Sequence, residues 1–130
     1  NKLISDLGIS NHITWHNRYI PDSEVTDYFS AADVVALPYR TASQSGITQI
    51  AYCYNLPVIA TNVGGLPEIV DEGKSGFTIS PENPEELAAV LAENIGNSSF
   101  SDMSKYIASF KEKFSWDNFV DGIETVYNRI

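Results

Sequence analysis

The sequence is poor in the residues that build disulfide frameworks and metal sites, with one cysteine and two histidines in 130 residues. A single cysteine excludes an internal disulfide and a cysteine-rich zinc site. His12 and His16 flank one short apolar run at a spacing that suits no metal-binding helix. We therefore predict no metal and no cofactor. We expect Cys53 to be a small, reduced core residue of a cytoplasmic protein.

Positive charge and long apolar runs are also scarce. Eight lysines and arginines stand against 17 acidic residues, which gives a net charge of -9. Such a surface repels phosphate backbones, so we exclude nucleic acid as a partner. No apolar run reaches the roughly 18 residues that a membrane-spanning helix needs, and residues 1–6 lack the basic start of a signal peptide. The length suits a single domain over residues 1–130.

Strand-like and helical patterns alternate along the first two thirds of the chain. Short apolar runs bounded by turn formers predict four strands, at residues 12–17, 33–39, 57–61 and 76–79. Apolar residues at helical spacing, with start and stop signals, predict helices at about 22–32, 46–54, 67–73, 84–95, 103–114 and 116–130.

This order indicates an α/β protein. Strands that alternate with helices are parallel and joined by right-handed crossovers, so we predict a Rossmann-like, doubly wound parallel sheet followed by C-terminal helices. The strands at 33–39 and 57–61 are expected to be central and buried. The last helix is expected to cover apolar surface with Trp116 and Phe119.

Two loops at predicted strand ends carry the candidate ligand contacts, because open α/β sheets bind ligands there. Residues 40–46 lead into a helix whose free N–H groups and dipole attract anions. Ser45 is expected to cap this helix, and Gly46 lets a phosphate approach the backbone. A plainly capped helix beside a solvated arginine would explain the same loop. The candidate ligand-binding residues are Arg40, Ser43, Ser45, Gly46, Ile47, Gly64 and Gly65; no catalytic residue is identified.

Several segments together resemble the retaining glycosyltransferases of the GT-B fold. They are DVVALP at 33–38, PVIATNVGGLPEIV at 57–70 and GF at 76–77. The similarity continues into PEEL at 84–87 and FSW at 114–116, so it covers nearly the whole chain in order. It implies that the chain is the C-terminal half of a two-domain, hexosyltransferase-like enzyme, the half that binds the nucleotide-diphosphate sugar.

The resemblance also implies what the rest of such an enzyme does. An N-terminal domain, absent here, binds an acceptor such as a growing polysaccharide or a glycolipid, which can lie at the inner face of the membrane. A strand–helix–strand unit with a basic pair for the diphosphate precedes the region seen here. The last helix crosses back towards the other domain.

One departure from the family's pattern concerns a pair of glutamates. Relatives commonly carry two glutamates eight positions apart around the middle loop, the second of which holds the ribose. These positions fall on Ala42 and Ile50, which cannot act as carboxylates. A shift of one residue would place Gln49 at the second position, and its amide can still bond hydroxyl groups. We therefore add Gln49 to the candidate donor-binding residues.

Other functions share parts of this pattern. The lost glutamates leave open a non-catalytic partner or a degenerate nucleotide-sugar-binding module. A GT-B-type epimerase shares the scaffold, although the glycine turn fits transferases better. A response-regulator receiver is disfavoured, because its phosphate-accepting aspartate would fall near Pro38 and its active lysine on Ser80.

Overall fold

The computed structural model describes residues 2–129, which contain six α-helices and three strands. The helices are α1 (Lys2–Asp6), α2 (Asp22–Ala31), α3 (Gly46–Cys53), α4 (Pro84–Asn94), α5 (Ser99–Phe110) and α6 (Trp116–Tyr127). The strands are β1 (Val35–Leu37), β2 (Val58–Thr61) and β3 (Gly76–Ile79), and 3-10 helices span Ser10–His12 and Lys111–Phe114. No helix within 2–129 is long and apolar enough to cross a membrane.

The three strands form one parallel sheet in the order β1-β2-β3, with Val58 opposite both Val35 and Gly76. All four residues of β2 are buried, as a strand covered on both faces requires. The predicted α/β class with a parallel sheet and C-terminal helices is confirmed. The expectation that β1 is also central is wrong, because within 2–129 it pairs on one side only, and Ala36 is exposed.

The core joins the strands to one face each of α3 and α5. The buried face of α5 carries Phe100, Met103 and Ile107, at positions i, i+3 and i+7. β3 approaches β2 so closely that only glycine fits, since a Cβ on Gly76 would lie 1.9 Å from the Val58 carbonyl oxygen. The fold therefore depends on one backbone-to-backbone contact as well as on side-chain packing.

A buried hydroxyl network ties α3 to the segment before β3. Tyr52 is 1% exposed, and its hydroxyl lies 2.9 Å from Ser75 Oγ and donates to the Ile69 carbonyl at 3.2 Å. Ser75 Oγ also accepts from the Asp71 N–H at 2.8 Å. Burial raises the pKa of Tyr52, because the phenolate would lose its hydration there. Burial thus favours a neutral tyrosine, while the hydrogen bond with Ser75 acts in the opposite direction.

A second contact ties α5 to the same segment. The Tyr106 hydroxyl donates to the carboxylate of Asp71, and Lys74 Nζ lies 3.5 Å from that carboxylate. The hydrogen bond from Tyr106 lowers the pKa of Asp71, and it raises the pKa of Tyr106 itself. The helix and the β2–β3 connection are therefore linked by a charge-assisted hydrogen bond.

The C-terminus of α3 is closed by a Schellman motif. Leu56 N–H donates to the Ala51 carbonyl at 2.9 Å, and Asn55 N–H donates to the Tyr52 carbonyl at 3.0 Å. These are the two bonds that define the motif. Asn55 has φ 58°, the left-handed conformation that the motif places just after the helix. Asparagine tolerates that conformation better than most residues, so the chain turns directly from α3 into β2.

The segment 12–17 is not a strand, contrary to the prediction. His12 ends a 3-10 helix, and Ile13 is extended, with φ -125° and ψ 124°. Local conformation therefore suits a strand, but no ladder joins this segment to β1 in residues 2–129.

The predicted helix at 67–73 is a turn. Its best-defined bond runs from Ile69 N–H to the Leu66 carbonyl, over three residues and 3.2 Å. Leu66 is 1% exposed and anchors the turn in the core. Proline's fixed φ suits the start of a turn as well as that of a helix, so the signal at Pro67 was ambiguous. The chain must then reach β3 within a few residues, which leaves no room for a helix.

Two predicted contributions to the core, one from α6 and one from Cys53, are exposed instead. Trp116 is 80% and Phe119 is 57% exposed, and α6 has no buried residue. Within 2–129 no other element covers the apolar face of α6, so the prediction that these two residues cover apolar surface is wrong here. Cys53 is also exposed, because it falls beside the buried stripe of α3 that ends at Tyr52.

Candidate functional site

The candidate site lies where the loops after the three strands meet. Because the strands are parallel, their carboxyl ends share one edge of the sheet. The loop after β1 comprises residues 38–45 and leads into α3, and the loop after β2 comprises residues 62–66. The loop after β3, residues 80–83, leads into α4. We call residues 40–46 the anion loop, since they carry half of the predicted contacts and lead to the start of α3.

The end of β2 holds the base of the anion loop. Thr61 Oγ1 donates to the Tyr39 carbonyl at 2.7 Å, and Thr61 is 2% exposed. The hydroxyl of Tyr39 lies 3.4 Å from Ser45 Oγ. The loop is thus fixed at its start by a strand residue and near its end by a tyrosine.

The glycine pair packs directly against the anion loop. Gly65 N–H donates to the Ser43 carbonyl at 2.8 Å. Gly64 has φ 53°, and a Cβ there would lie 1.9 Å from the Ala42 carbonyl oxygen. The structure therefore brings Ser43, Gly64 and Gly65 together, as the sequence suggested. The space beside Gly64 holds protein backbone.

The start of α3 is open and uncapped. Ser45 occupies the N-cap position but makes no side-chain cap bond, so the expectation that it caps the helix is wrong. Its hydroxyl faces Tyr39 instead. Gly46 and Ile47 are exposed, and a Cβ on Gly46 would meet no atom within 4 Å. The first N–H groups of a helix have no partner inside it, so this end of α3 offers free donors to an anion.

Thr48 adds a polar atom in the same turn of α3. It is 1% exposed, and its Oγ1 has no hydrogen-bond partner within the described residues. Buried hydroxyls are almost always paired. The pattern of residues does not single out Thr48, since a threonine in a helix is most simply explained as a core residue.

Arg40 pairs with a loop that the sequence reasoning missed. Its Nε lies 3.2 Å from Glu82 Oε1, and both side chains are largely exposed. Glu82 has φ 56°, an uncommon conformation for a non-glycine residue. The pair borders a hollow of about 510 Å³ at the carboxyl ends of the strands, lined also by Thr61 and Ser80. The rule that ligands bind at strand ends would have drawn attention to these loop residues.

Gln49 lies apart from the Arg40 hollow. It is exposed and lines a depression of about 320 Å³ with residues from the start of α6, among them Ser115, Asn118 and Phe119. A larger apolar depression of about 590 Å³ runs along α6 itself, past Ile123 and Val126. Six predicted contacts therefore form one group around the anion loop: Ser43, Ser45, Gly46, Ile47, Gly64 and Gly65. Arg40 turns away to Glu82, and Gln49 turns to the start of α6.

Arg18 is also paired with a carboxylate. Arg18, in the loop before α2, forms a two-pronged ion pair with Glu24 in the first turn of that helix. The hydrogen bonds with Glu24 raise the pKa of Arg18 and lower the pKa of Glu24. Arg40 and Arg18 thus both already have carboxylate partners, in keeping with the negative net charge of the protein.

Comparison with known proteins places this geometry in context. The family described as Glycosyl transferases group 1 matches residues 1–97. The D-inositol 3-phosphate glycosyltransferase of Corynebacterium jeikeium is 31% identical over 98% of this chain, which spans 30% of that protein. The chain therefore covers under a third of the length of this relative.

Solved structures share the fold. HepE of Anabaena, solved in complex with UDP, superposes with a TM-score of 0.83 at 20% identity over 99% of this chain and 35% of its own. The C-terminal domain of a Glycosyl Transferase Group 1 family protein (LpcC) from Francisella tularensis gives a TM-score of 0.70 at 18% identity, covering 83% of this chain and 58% of its own. HepE is also solved with UDP-glucose. At these identities the likeness shows the fold.

Proposed function

The chain belongs to the Glycosyl transferases group 1 family, and from this premise we propose that it is the donor-binding half of a glycosyltransferase. The whole protein would move a sugar from a nucleotide-diphosphate donor to an acceptor such as a growing polysaccharide or a glycolipid. The relatives' names and the UDP complexes of HepE support this proposal. We place the acceptor site in an N-terminal domain and the acceptor at the inner face of the membrane.

The open start of α3 is the observation that carries the proposal. Gly46 and Ile47 are exposed, and no side chain of the described chain caps the helix. Backbone N–H groups and the helix dipole would bind the β-phosphate of the donor. As the glycosidic bond breaks, negative charge grows on the leaving diphosphate. Fixed donors aimed at that charge stabilise the transition state.

The other candidate residues act around this anion site. We assign Arg40 to the diphosphate, for which it must exchange Glu82 for a phosphate oxygen; the pair is exposed and so costs little to break. We assign Gln49 to a ribose hydroxyl. Ser43 and Ser45 shape the anion loop, and Gly65 holds it through its bond to the Ser43 carbonyl.

The apolar face of α6 supports a second domain. Phe119, Ile123 and Val126 are all about half exposed or more on one short helix, and an exposed apolar patch commonly marks an interaction surface. Without an acceptor domain no closed cleft can exclude water or align two substrates. We therefore expect the purified chain of 130 residues to show no transferase turnover, in an assay of released nucleotide diphosphate. Turnover by this chain would contradict the two-domain proposal.

The donor site is tested by two variants of the full-length protein. Gly46→Val should weaken binding of UDP-glucose strongly, because it crowds the phosphate and disturbs charge-assisted bonds. Gln49→Ala should weaken it a few-fold, since one neutral hydrogen bond contributes about 0.5–1.5 kcal/mol. Calorimetric titration with UDP-, GDP- and ADP-sugars measures both effects. Gln49→Glu, which keeps a hydrogen-bond acceptor, is the matched control.

Folding controls are available at both sites. A Cβ on Gly46 meets no atom within 4 Å, and Gln49 is exposed, so neither change should lower the thermal midpoint by much. If both variants bind donors like the parent, the site is elsewhere. If donors bind but no acceptor receives sugar, the absence of glutamate at Ala42 and Ile50 favours a non-catalytic donor-binding module.

A further inference from the structure

We infer that Gly64 is a positioning residue, which sets the anion loop and thereby the start of α3. The inference rests on the proposed function for its effect on the donor. Its structural part, the placement of the loop, stands on the contacts of the glycine pair alone.

The contact between Gly64 and Ala42 leaves no room for a side chain. A Cβ on Gly64 would lie 1.9 Å from the Ala42 carbonyl oxygen and 2.9 Å from that of Ser43. Both obstacles are backbone atoms of the anion loop, so no rotamer change relieves the clash. Real Cβ contacts essentially never fall below 3.0 Å, so any side chain at 64 must move the two loops apart by about 1 Å.

The displaced segment leads straight to the anion site. Only Ser43, Gln44 and Ser45 separate Ala42 from Gly46, the first residue of α3. The bond from Gly65 N–H to the Ser43 carbonyl, 2.8 Å long, transmits the position of one loop to the other. A misplacement of about 1 Å in a reacting geometry can cost on the order of 100-fold in rate. Gly64 is therefore expected to act on the donor through the loop.

Other glycines separate this effect from backbone strain. Gly64 and Gly73 both have left-handed φ, 53° and 73°, but a Cβ on Gly73 meets nothing within 4 Å. Alanine at either position carries a similar conformational penalty for its left-handed backbone. Gly65 offers a milder change, because its Cβ would lie 3.1 Å from the Ser43 carbonyl oxygen and its φ is not positive.

The test uses the full-length protein with Gly64→Ala, Gly65→Ala and Gly73→Ala. Amide hydrogen exchange without nucleotide reports the placement of the loop, and calorimetry with UDP reports the site. We expect Gly64→Ala to speed exchange of the residue 65 amide, which in the parent donates to the Ser43 carbonyl at 2.8 Å, and to weaken UDP at least tenfold. Gly65→Ala should do the same to a smaller degree. Gly73→Ala should lower the thermal midpoint while leaving UDP affinity within twofold.

The outcomes are distinct. Unchanged exchange of the residue 65 amide in a folded Gly64→Ala protein overturns the inference, and so does an equal loss of UDP affinity in Gly73→Ala. If Gly64→Ala fails to fold, Gly65→Ala decides, since parent-like exchange and affinity in that variant overturn it. If the parent binds no nucleotide diphosphate, the proposed function fails, while the exchange data still decide whether Gly64 sets the loop.

Discussion

Tyr52→Phe tests whether the buried hydroxyl network stabilises the connection between α3 and β3. The Tyr52 side chain is almost fully buried, and its hydroxyl bonds Ser75 Oγ at 2.9 Å and the Ile69 carbonyl at 3.2 Å. Phenylalanine keeps the ring, and with it the edge-to-face contact with Phe110 at 5.8 Å. The change therefore isolates one oxygen atom and its two hydrogen bonds.

The expected cost follows from what the lost oxygen leaves behind. Ser75 Oγ keeps its bond from the Asp71 N–H, but its own O–H loses the Tyr52 oxygen as acceptor, and the Ile69 carbonyl loses its hydroxyl donor. Deleting one partner of a buried hydrogen bond costs about 1–3 kcal/mol, and we expect about 2 kcal/mol here. For a chain of this size each kcal/mol corresponds to roughly 3–6 °C in thermal midpoint.

Urea and thermal unfolding followed by circular dichroism provide the measurement. The control is Tyr54→Phe, just after the end of the same helix. The Tyr54 hydroxyl lies 2.8 Å from Thr26 Oγ1 at an exposed position. Exposed substitutions usually change stability by no more than about 0.5 kcal/mol. If Tyr52→Phe costs no more than Tyr54→Phe, the buried network contributes nothing and the reasoning fails.

A pH series gives an independent check on Tyr52. Its pKa is raised by burial, so the stability it contributes is present below the unfolded pKa of about 10 and is lost as pH rises through the folded pKa. The difference in stability between the parent and Tyr52→Phe should therefore shrink from pH 8 into the alkaline range. A constant difference would mean that the hydroxyl is not held in its neutral form by the fold.

Two further predictions concern the helix end and the α5 contact. Asn55→Gly should leave the urea unfolding midpoint unchanged or slightly higher, because glycine suits the left-handed φ of 58°. Asn55→Val should instead destabilise the protein by about 1–2 kcal/mol. Equal urea midpoints for the two variants would contradict the Schellman assignment. Tyr106→Phe should lower the thermal midpoint near pH 7, and the difference should vanish in acid. The hydrogen bond lowers the pKa of Asp71. The stability that this bond contributes is therefore present above about pH 4 and is lost as pH falls through the folded pKa of Asp71. A difference in midpoint that persists at pH 2 would refute the pairing.

Local signals predicted the elements that local physics decides. Apolar runs between turn formers predict β2 and β3, and apolar spacing with a start signal predicts α4. In the structure Asn83 caps α4, since its side chain accepts from Glu86 N–H at 3.1 Å. Each of these depends on neighbours in sequence or on simple burial. The parallel sheet followed from the alternation of strands with helices.

The errors share a different cause, which is the need for a partner distant in sequence. Residues 12–17 have strand-like composition, but a strand exists only where a ladder forms, and none does within 2–129. The apolar stripe of α6 was predicted, but nothing in its sequence says what covers it. Gly64 and Gly65 stay predicted ligand contacts, but their packing against Ala42 and Ser43, in a loop some 20 residues earlier, likewise depends on residues distant in sequence.

The short edge strand β1 couples sheet stability to ligand binding. β1 has only three residues and one neighbour in the described sheet, so it belongs to the part of a structure that opens first by local unfolding. The anion loop follows β1, and Thr61 Oγ1 donates to the Leu37 carbonyl in β1 and to the Tyr39 carbonyl just before the loop. Opening of β1 would release the loop, and a ligand held by the loop would oppose that opening by mass action. The affinity for the proposed donor would then depend in part on the free energy of opening the three-residue ladder of β1. Slowed amide exchange in β1 would report an occupied site without observing the ligand.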